Sequence, residues 1–262
     1  MALESTLLGD IYIDQYQMDT YASSYTFTVD NPLTEVTTFG DTAGTFVEGK
    51  PVANFSMNAF FSPTSNESDT ILDGELTGGQ EIIIVPEGLT IGNMAHEFGA
   101  NLTNRTIENP VDGATALNIS AQGTESLRRS AVLYTPSSTA LSGTGAVTSS
   151  RVDTGSSSFI GSLSSGTVKR ATLRVTAVSG SGTATIKIQD SSSSGSGYGD
   201  FVAFAQISGV GTQTVTTTDA SSRYLQINVT QYSGLTNFNC MVTMGVDLGL
   251  SLIHISEPTR PY

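Results

Sequence analysis

The sequence predicts an all-β fold, and three observations carry the prediction. Good helix formers are sparse: charged residues are only 13% of the chain, while Ser, Thr and Gly are abundant. Short runs of β-branched and aromatic residues alternate with polar ones at period two. Gly, Ser and Asp turn signals bound these runs at short, regular spacing. The 262 residues suit one large or two ordinary domains, and a 38% hydrophobic content can supply a core.

Taken in order, residues 1–19 read as an extended arm with apolar Leu7, Leu8, Ile11 and Ile13. "TYASSYTFTVDN" is a strand that ends at Asn31-Pro32, and "TEVTTFG" is a second. A long polar loop, 40–51, leads to "VANFSMNAFF". There Phe55, Met57, Ala59 and Phe61 alternate with Asn54, Ser56 and Asn58, the pattern of a half-buried strand. "SPTSNESDTILDGELTGG" is the one helix candidate. Ser65 or Asn66 can cap it, Glu67 and Asp69 suit its first turn, and Gly78-Gly79 stop it. "QEIIIVPEG", the stretch from "MAHEFG" to "NPVDG", "ATALNISAQG" and "LRRSAVLYTPS" are further strands, closing a first module at residue 140.

Residues 141–157, "LSGTGAVTSSRVDTGSS", read as a linker of small residues. Beyond it come "RATLRVTAVSG", "TATIKIQDS", "GDFVAFAQISG", "TQTVTTT", "SRYLQINVTQYSG" and "FNCMVTMGVDL". Their even spacing predicts a second β-sandwich over 158–249, with "SSSSGSGYG" as a hairpin tip. Residues 250–262, including "SLIHISEPTRPY", break the pattern and resemble a translated sequencing adapter, so they are set aside.

Charge is uneven. Residues 1–135 hold 18 Asp and Glu against 4 Lys and Arg, a net of -14; the remainder hold 6 against 7, a net of +1. An acidic surface repels phosphate, which disfavours ordinary nucleic-acid binding. The single cysteine, Cys240, excludes an intrachain disulfide framework. It is in phase with Phe238 and Val242, which makes it a small buried hydrophobe. The N-terminus lacks a signal-peptide pattern, and no apolar run approaches the ~20 residues of a membrane helix.

Candidate chemistry is thin. Outside residues 250–262 the only histidine is His96, and "NMAHEFG" lacks the second histidine of a zinc-protease helix. One histidine without a G-x-S-x-G stretch does not support a hydrolase triad. The acids could include a glycosidase pair, but the chain has no Trp to line a sugar cleft. "SGTGAV" has no helix after it, and "QDSSSSGSGYGD" lacks the acid order of a calcium loop. No catalytic, cofactor or metal residues are assigned, which leaves a structural or binding protein whose edge strands can pair with another chain.

The order of elements then carries a resemblance. "STLLGDIYID", "SSYTFTVDN", "EVTTFGD", "FVEGKPVANFSMNAFF", the helix "TILDGEL", "QEIIIVPEG", "ALNISAQG" and "LRRSAVLY" follow in sequence. In this order the first module resembles the tail tube (major tail) proteins of long-tailed bacteriophages. Residues 158–249 resemble the β-sandwich decoration domain often appended to them. The resemblance implies hexameric rings whose inner sheets join into one barrel, stacked through the arm and the long loop. Leu7, Leu8, Ile11, Phe39 and Phe46 are the stacking candidates it implies. DNA would pass down the lumen without specific binding, with Glu35, Asp41, Glu48, Glu81 and Glu108 as candidate lumen charges. Implied partners are further copies and other tail proteins, with no cofactor and no membrane, and assembly in the host cytoplasm. Two other readings stand beside it: a capsid decoration or fibre protein, and an adhesin binding host-surface glycan through Tyr198, Tyr224 and Tyr232.

Overall fold

The structure is a computed structural model describing residues 9–37, 43–44, 46–49, 51–64, 67–74, 78–136, 141–155 and 163–247. Among the described residues it is nearly all β, with one short helix, as the composition predicts. Strands β1 (Asp10–Ile13) and β2 (Tyr16–Gln17) form a tight hairpin. Its turn residue Asp14 has a φ of 51°, which an aspartate tolerates, and its carboxylate accepts the Glu81 backbone N–H at 2.9 Å. β3 (Ala22–Asp30) is followed by a small hairpin of β4 (Leu33–Glu35) and β5 (Phe46–Glu48), then by β6 (Val52–Phe60). Helix α1 (Ser68–Gly74) follows, then β7 (Gln80–Val85), β8 (Met94–Glu108), β9 (Ala116–Gly123) and β10 (Arg128–Tyr134).

The 15-residue β8 belongs to two layers. Its first half pairs with β7 and β10, and its second half, from Ala100 on, pairs with β9. One layer is therefore β3–β6–β9–β8, and the other runs β8–β7–β1–β2 on one side and β8–β10 on the other. Phe55, Met57 and Ile119 of the first layer meet Ile82, Ile84 and Phe98 of the second, with Leu72 of α1 beside them. Arg105, on the inner side of β8, ties α1 down through Asp69 and through Asp73 at 3.5 Å.

The remaining strands are β11 (Gly145–Asp153), β12 (Lys169–Ser191), β13 (Gly199–Ala203), β14 (Gly211–Thr217) and β15 (Tyr224–Asp247). β12 and β15 form a single long hairpin where the sequence suggests four separate strands. Four register shifts between Val175 and Ile186 let it bend without breaking. At the bend Gly182 lies so close to the opposite strand that a Cβ would sit 1.6 Å from the Ser233 carbonyl oxygen. The glycines that read as turns are thus paired bulges.

This hairpin changes the domain picture. Its lower part joins β10, with Arg128 opposite Asp247, and so extends the sheet of the first half. Its upper part carries β11 and β13. The expected linker contains β11, paired to β15 from Gly145 opposite Val229 to Asp153 opposite Tyr224. Small polar residues look like linker, yet sheet pairing uses the backbone, and Val152 and Leu141 supply buried contacts. A core of Leu133, Leu173, Ile186, Ile227, Phe238 and Cys240 runs from β10 into the upper hairpin. Residues 10–17 likewise lie in the sheet, where an arm is expected.

Candidate functional site

Two features stand out once the side chains are placed: an exposed polar sheet face with free edges, and a buried cluster of charges. The face belongs to the β3–β6–β9–β8 layer. Residues directly opposite in antiparallel strands point to the same side, so the register fixes cross-strand rows. One row is Thr28, Asn54, Gln122 and Asn101. The next is Thr26, Ser56, Ser120 and Asn104. The third is Ser24, Asn58, Asn118 and Thr106. Every side chain in the three rows is an uncharged hydrogen-bonding group. Acids come only at the ends, where Asp30 follows Thr28 and accepts from the Asn54 amide at 2.7 Å, and Glu108 follows Thr106. A trough of about 360 Å³ on this face is lined by Thr26, Asn54, Ser56, Thr103, Ser120 and Gln122.

Both margins of this layer are open among the described residues. β3 pairs with β6 alone, and β8 beyond Ala100 pairs with β9 alone. Unpaired backbone groups along such edges template another strand. The β4–β5 hairpin follows the Asp30 end of β3 and exposes a group of large apolar side chains: Leu33 at 61%, Phe46 at 57%, with Val36 and Val47 also open.

The charge cluster lies on the opposite side of the molecule's second layer. Arg128, Glu97 and Arg174 are fully buried there. The Arg128 guanidinium donates to both Glu81 oxygens at 2.5 and 2.7 Å, and lies 3.7 Å from Glu97. Glu97 also faces Arg174 at 3.6 Å and accepts from Thr172 at 3.3 Å. Arg170 reaches Glu125, and lies 3.3 Å from Asp247. β8 and β12 are separated by two strands, about 14 Å in a flat sheet, so the Glu97–Arg174 contact requires the sheet to roll around these charges. Burial raises the Glu81 and Asp247 carboxyls despite their arginines. Burial alone pushes the Cys240 thiol up, which leaves it inert.

The sequence-derived residues fall unevenly on these features. Glu81 lies in the buried cluster, and Ile11 lies wholly in the core, so neither has the exposed position expected of it. Both sit on strands, β7 and β1, whose side chains are mostly buried. Glu35 and Phe46 lie on the exposed hairpin, and Glu108 at the end of the polar face. Leu7, Leu8, Phe39 and Asp41 lie outside the described residues, as do the Glu48 side chain, the helix-cap candidates Ser65 and Asn66, and 250–262. Edge strands are expected from the sequence, but it marks neither which strands carry the free edges nor the charge cluster. Alternation in "SSYTFTVDN" and "ALNISAQG" marks the polar face, but no local pattern marks an edge.

His96 packs against Phe27, ring centroids 5.6 Å apart, and among the described residues no three metal-ligating side chains cluster. Burial, then the nearby Arg129, lower its pKa below 6.5. A lowered histidine pKa means the unfolded chain takes up the proton first. Its contribution to stability is therefore full above pH 6.5 and is lost as pH falls from there toward the folded value. The melting temperature of the wild type should fall on titration from pH 7.5 to 5.5, and His96→Phe should flatten that slope; identical slopes would remove the assignment.

No family model matches the chain, and no curated protein does. Among solved structures it is similar to a protein in the virion of a native gene transfer agent, at 12% identity and a TM-score of 0.37, covering 48% of this chain and 97% of that one. It is also similar to the SPP1 Dit protein, a hub adsorption protein of phages infecting Gram-positive bacteria, at 11% identity and a TM-score of 0.35, covering 91% and 99%. A third is the SPP1 tail tube protein, at 11% and 0.35, covering 46% and 76%. Likeness at this level carries no argument about function.

Proposed function

We propose that the chain is a structural virion protein that joins edge to edge into rings, stacked into a phage tail tube through which DNA is ejected. The observation that carries this reading is a single four-stranded layer with two unlike free edges, β3 and the second half of β8. Two different edges on one chain make a heterologous contact, which closes into a ring when the rotation allows. The resemblance in element order points the same way, and the family it implies has six copies per ring. The exposed β4–β5 hairpin suits contact between rings, with Phe46 at its centre. Glu35, on the hairpin beyond the Asp30 end of the layer, and Glu108, at the layer's other end, would sit toward the rims of each ring. The upper part of the β12–β15 hairpin would project outward.

Paired cysteines test the ring contact. Thr26→Cys on β3 and Asn104→Cys on β8 occupy the same face at opposite margins. The double variant should give a ladder of disulfide-linked oligomers on oxidation, and each single variant at most a dimer. Cys240 is buried and stays silent. If Thr106→Cys in place of Asn104→Cys also yields only monomers, the edge contact is wrong.

A further inference from the structure

We infer that a cavity beside the β1–β2 hairpin binds a neutral sugar, at a site that the tube reading does not call for and that does not depend on it. The cavity has a volume of about 400 Å³, at the lower end of the range for small-ligand sites, with room for about one or two sugar rings. Its walls come from distant parts of the chain. Tyr12 of β1, Gln15 of the turn, Tyr16 of β2 and Tyr21 belong to the first half. Thr176 of β12 and Val210, just before β14, belong to the second. None of the lining residues carries a charge, although the first half of the chain is strongly acidic.

The lining matches a sugar group by group. Tyr16 and Tyr21 are half-buried and pack against the core of the first half, which holds their rings in place. A tyrosine combines an apolar body with a polar tip, as a sugar combines a C–H face with a rim of hydroxyls. Gln15, Gln17 and Thr176 add groups that both donate and accept, as sugar hydroxyls do. The Gln17 amide nitrogen donates to Asp19 Oδ2 at 3.1 Å, which orients its amide oxygen. Tyr12 is set deepest. It is 1% exposed, and its hydroxyl has no hydrogen-bond partner among the described residues. A buried hydroxyl left unpaired is costly, and a ligand hydroxyl would remove that cost. Burial, then Asp10 and Asp19, raise its pKa against the pull of Arg174, so it stays protonated. The carboxylates and the guanidinium near Tyr12 oppose each other, so the site favours neither an anion nor a cation. A neutral ligand rich in hydroxyls fits it.

The test uses the full chain, with saturation-transfer NMR as the readout. The probes are glucose, galactose and N-acetylglucosamine, each also as its methyl glycoside, with choline and N-acetylneuraminate as cationic and anionic controls. At least one neutral sugar should bind with a dissociation constant on the order of 1 mM, and neither charged probe should. A site for glycan chain ends keeps its affinity for the methyl glycoside, whereas a site for the free sugar loses it; either result supports a neutral-sugar site. Tyr12→Phe removes only the hydroxyl, and Val210→Arg crowds a rim position that is 56% exposed and so leaves the fold alone. Each should weaken binding about tenfold, with an unchanged circular dichroism spectrum. Tyr198→Ala, outside this cavity, should bind as the wild type does. No binding by any neutral sugar at about ten times that concentration, binding of a charged probe instead, or affinity unchanged by both Tyr12→Phe and Val210→Arg would overturn the site. These outcomes are separate from ring and tube formation, which electron microscopy of the same protein reads.

Discussion

Replacing Arg128 with Met lowers the melting temperature by about 10 °C, in one transition for the whole chain. Arg128 is fully buried, holds Glu81 directly and shares Glu97 with Arg174. Removing one member of a buried ion cluster typically costs about 3–5 kcal/mol, and here it leaves two enclosed carboxylates to the more distant Arg174. In a chain of this size each kcal/mol moves the midpoint by about 2–4 °C. The transition stays single because the cluster draws on β7, β8 and β10 of the first half and on Arg170 and Arg174 of β12. The loss should be smaller at low pH. Glu81 already holds its proton more tightly than a free glutamate, and without Arg128 the folded state gains stability as pH falls into the carboxylate range. Adding Glu81→Gln should recover part of the loss. Calorimetry at two pH values reads all three effects, and a midpoint unchanged by Arg128→Met would show that the cluster contributes nothing.

Serine at both Leu33 and Phe46 has the opposite profile: the protein folds as before but no longer stacks. Both side chains are more than half exposed in the isolated chain, so their loss costs the fold little. In a stacked assembly they would be covered, and burying each large apolar side chain is worth about 1.5–3 kcal/mol. Each 1.4 kcal/mol is a factor of ten in affinity, so losing the pair should raise the concentration needed for polymerisation by about a hundredfold or more. Sedimentation of wild type and variant across a concentration series, with circular dichroism to check the fold, gives the answer. Tubes of normal length at the wild-type concentration would exclude the hairpin from the contact.

The sequence was informative wherever one face of a strand is buried and the other wet. Period two in "VANFSMNAFF" predicts β6, and the burial alternates as the letters do. Helix α1 and Cys240 follow from equally local cues. Local cues failed where meaning depends on a distant partner. "VSGSGTA" and "TQYSGLT" look like turns, yet Gly180 and Leu235 face each other inside one continuous ladder. The 141–157 stretch looks like linker because its side chains are small, and only the partner strand β15 makes part of it a strand. For the candidate site the same limit holds. The polar rows were half visible from β6 alone. Glu81 reads as a surface acid beside three isoleucines until Arg128, 47 residues later, is placed against it.

The pairing of β10 with β15 has a consequence for how the protein is made. β10 leaves the ribosome early, but its neighbour, Val242 opposite Tyr134, is more than a hundred residues away. At typical translation rates that is a wait of about 5–20 s. Throughout it the β10 margin that β15 will cover stands unpaired, and Arg170 and Arg174 of β12 are not yet in place against Glu125 and Glu97. Completion of the fold thus waits for β12 and β15.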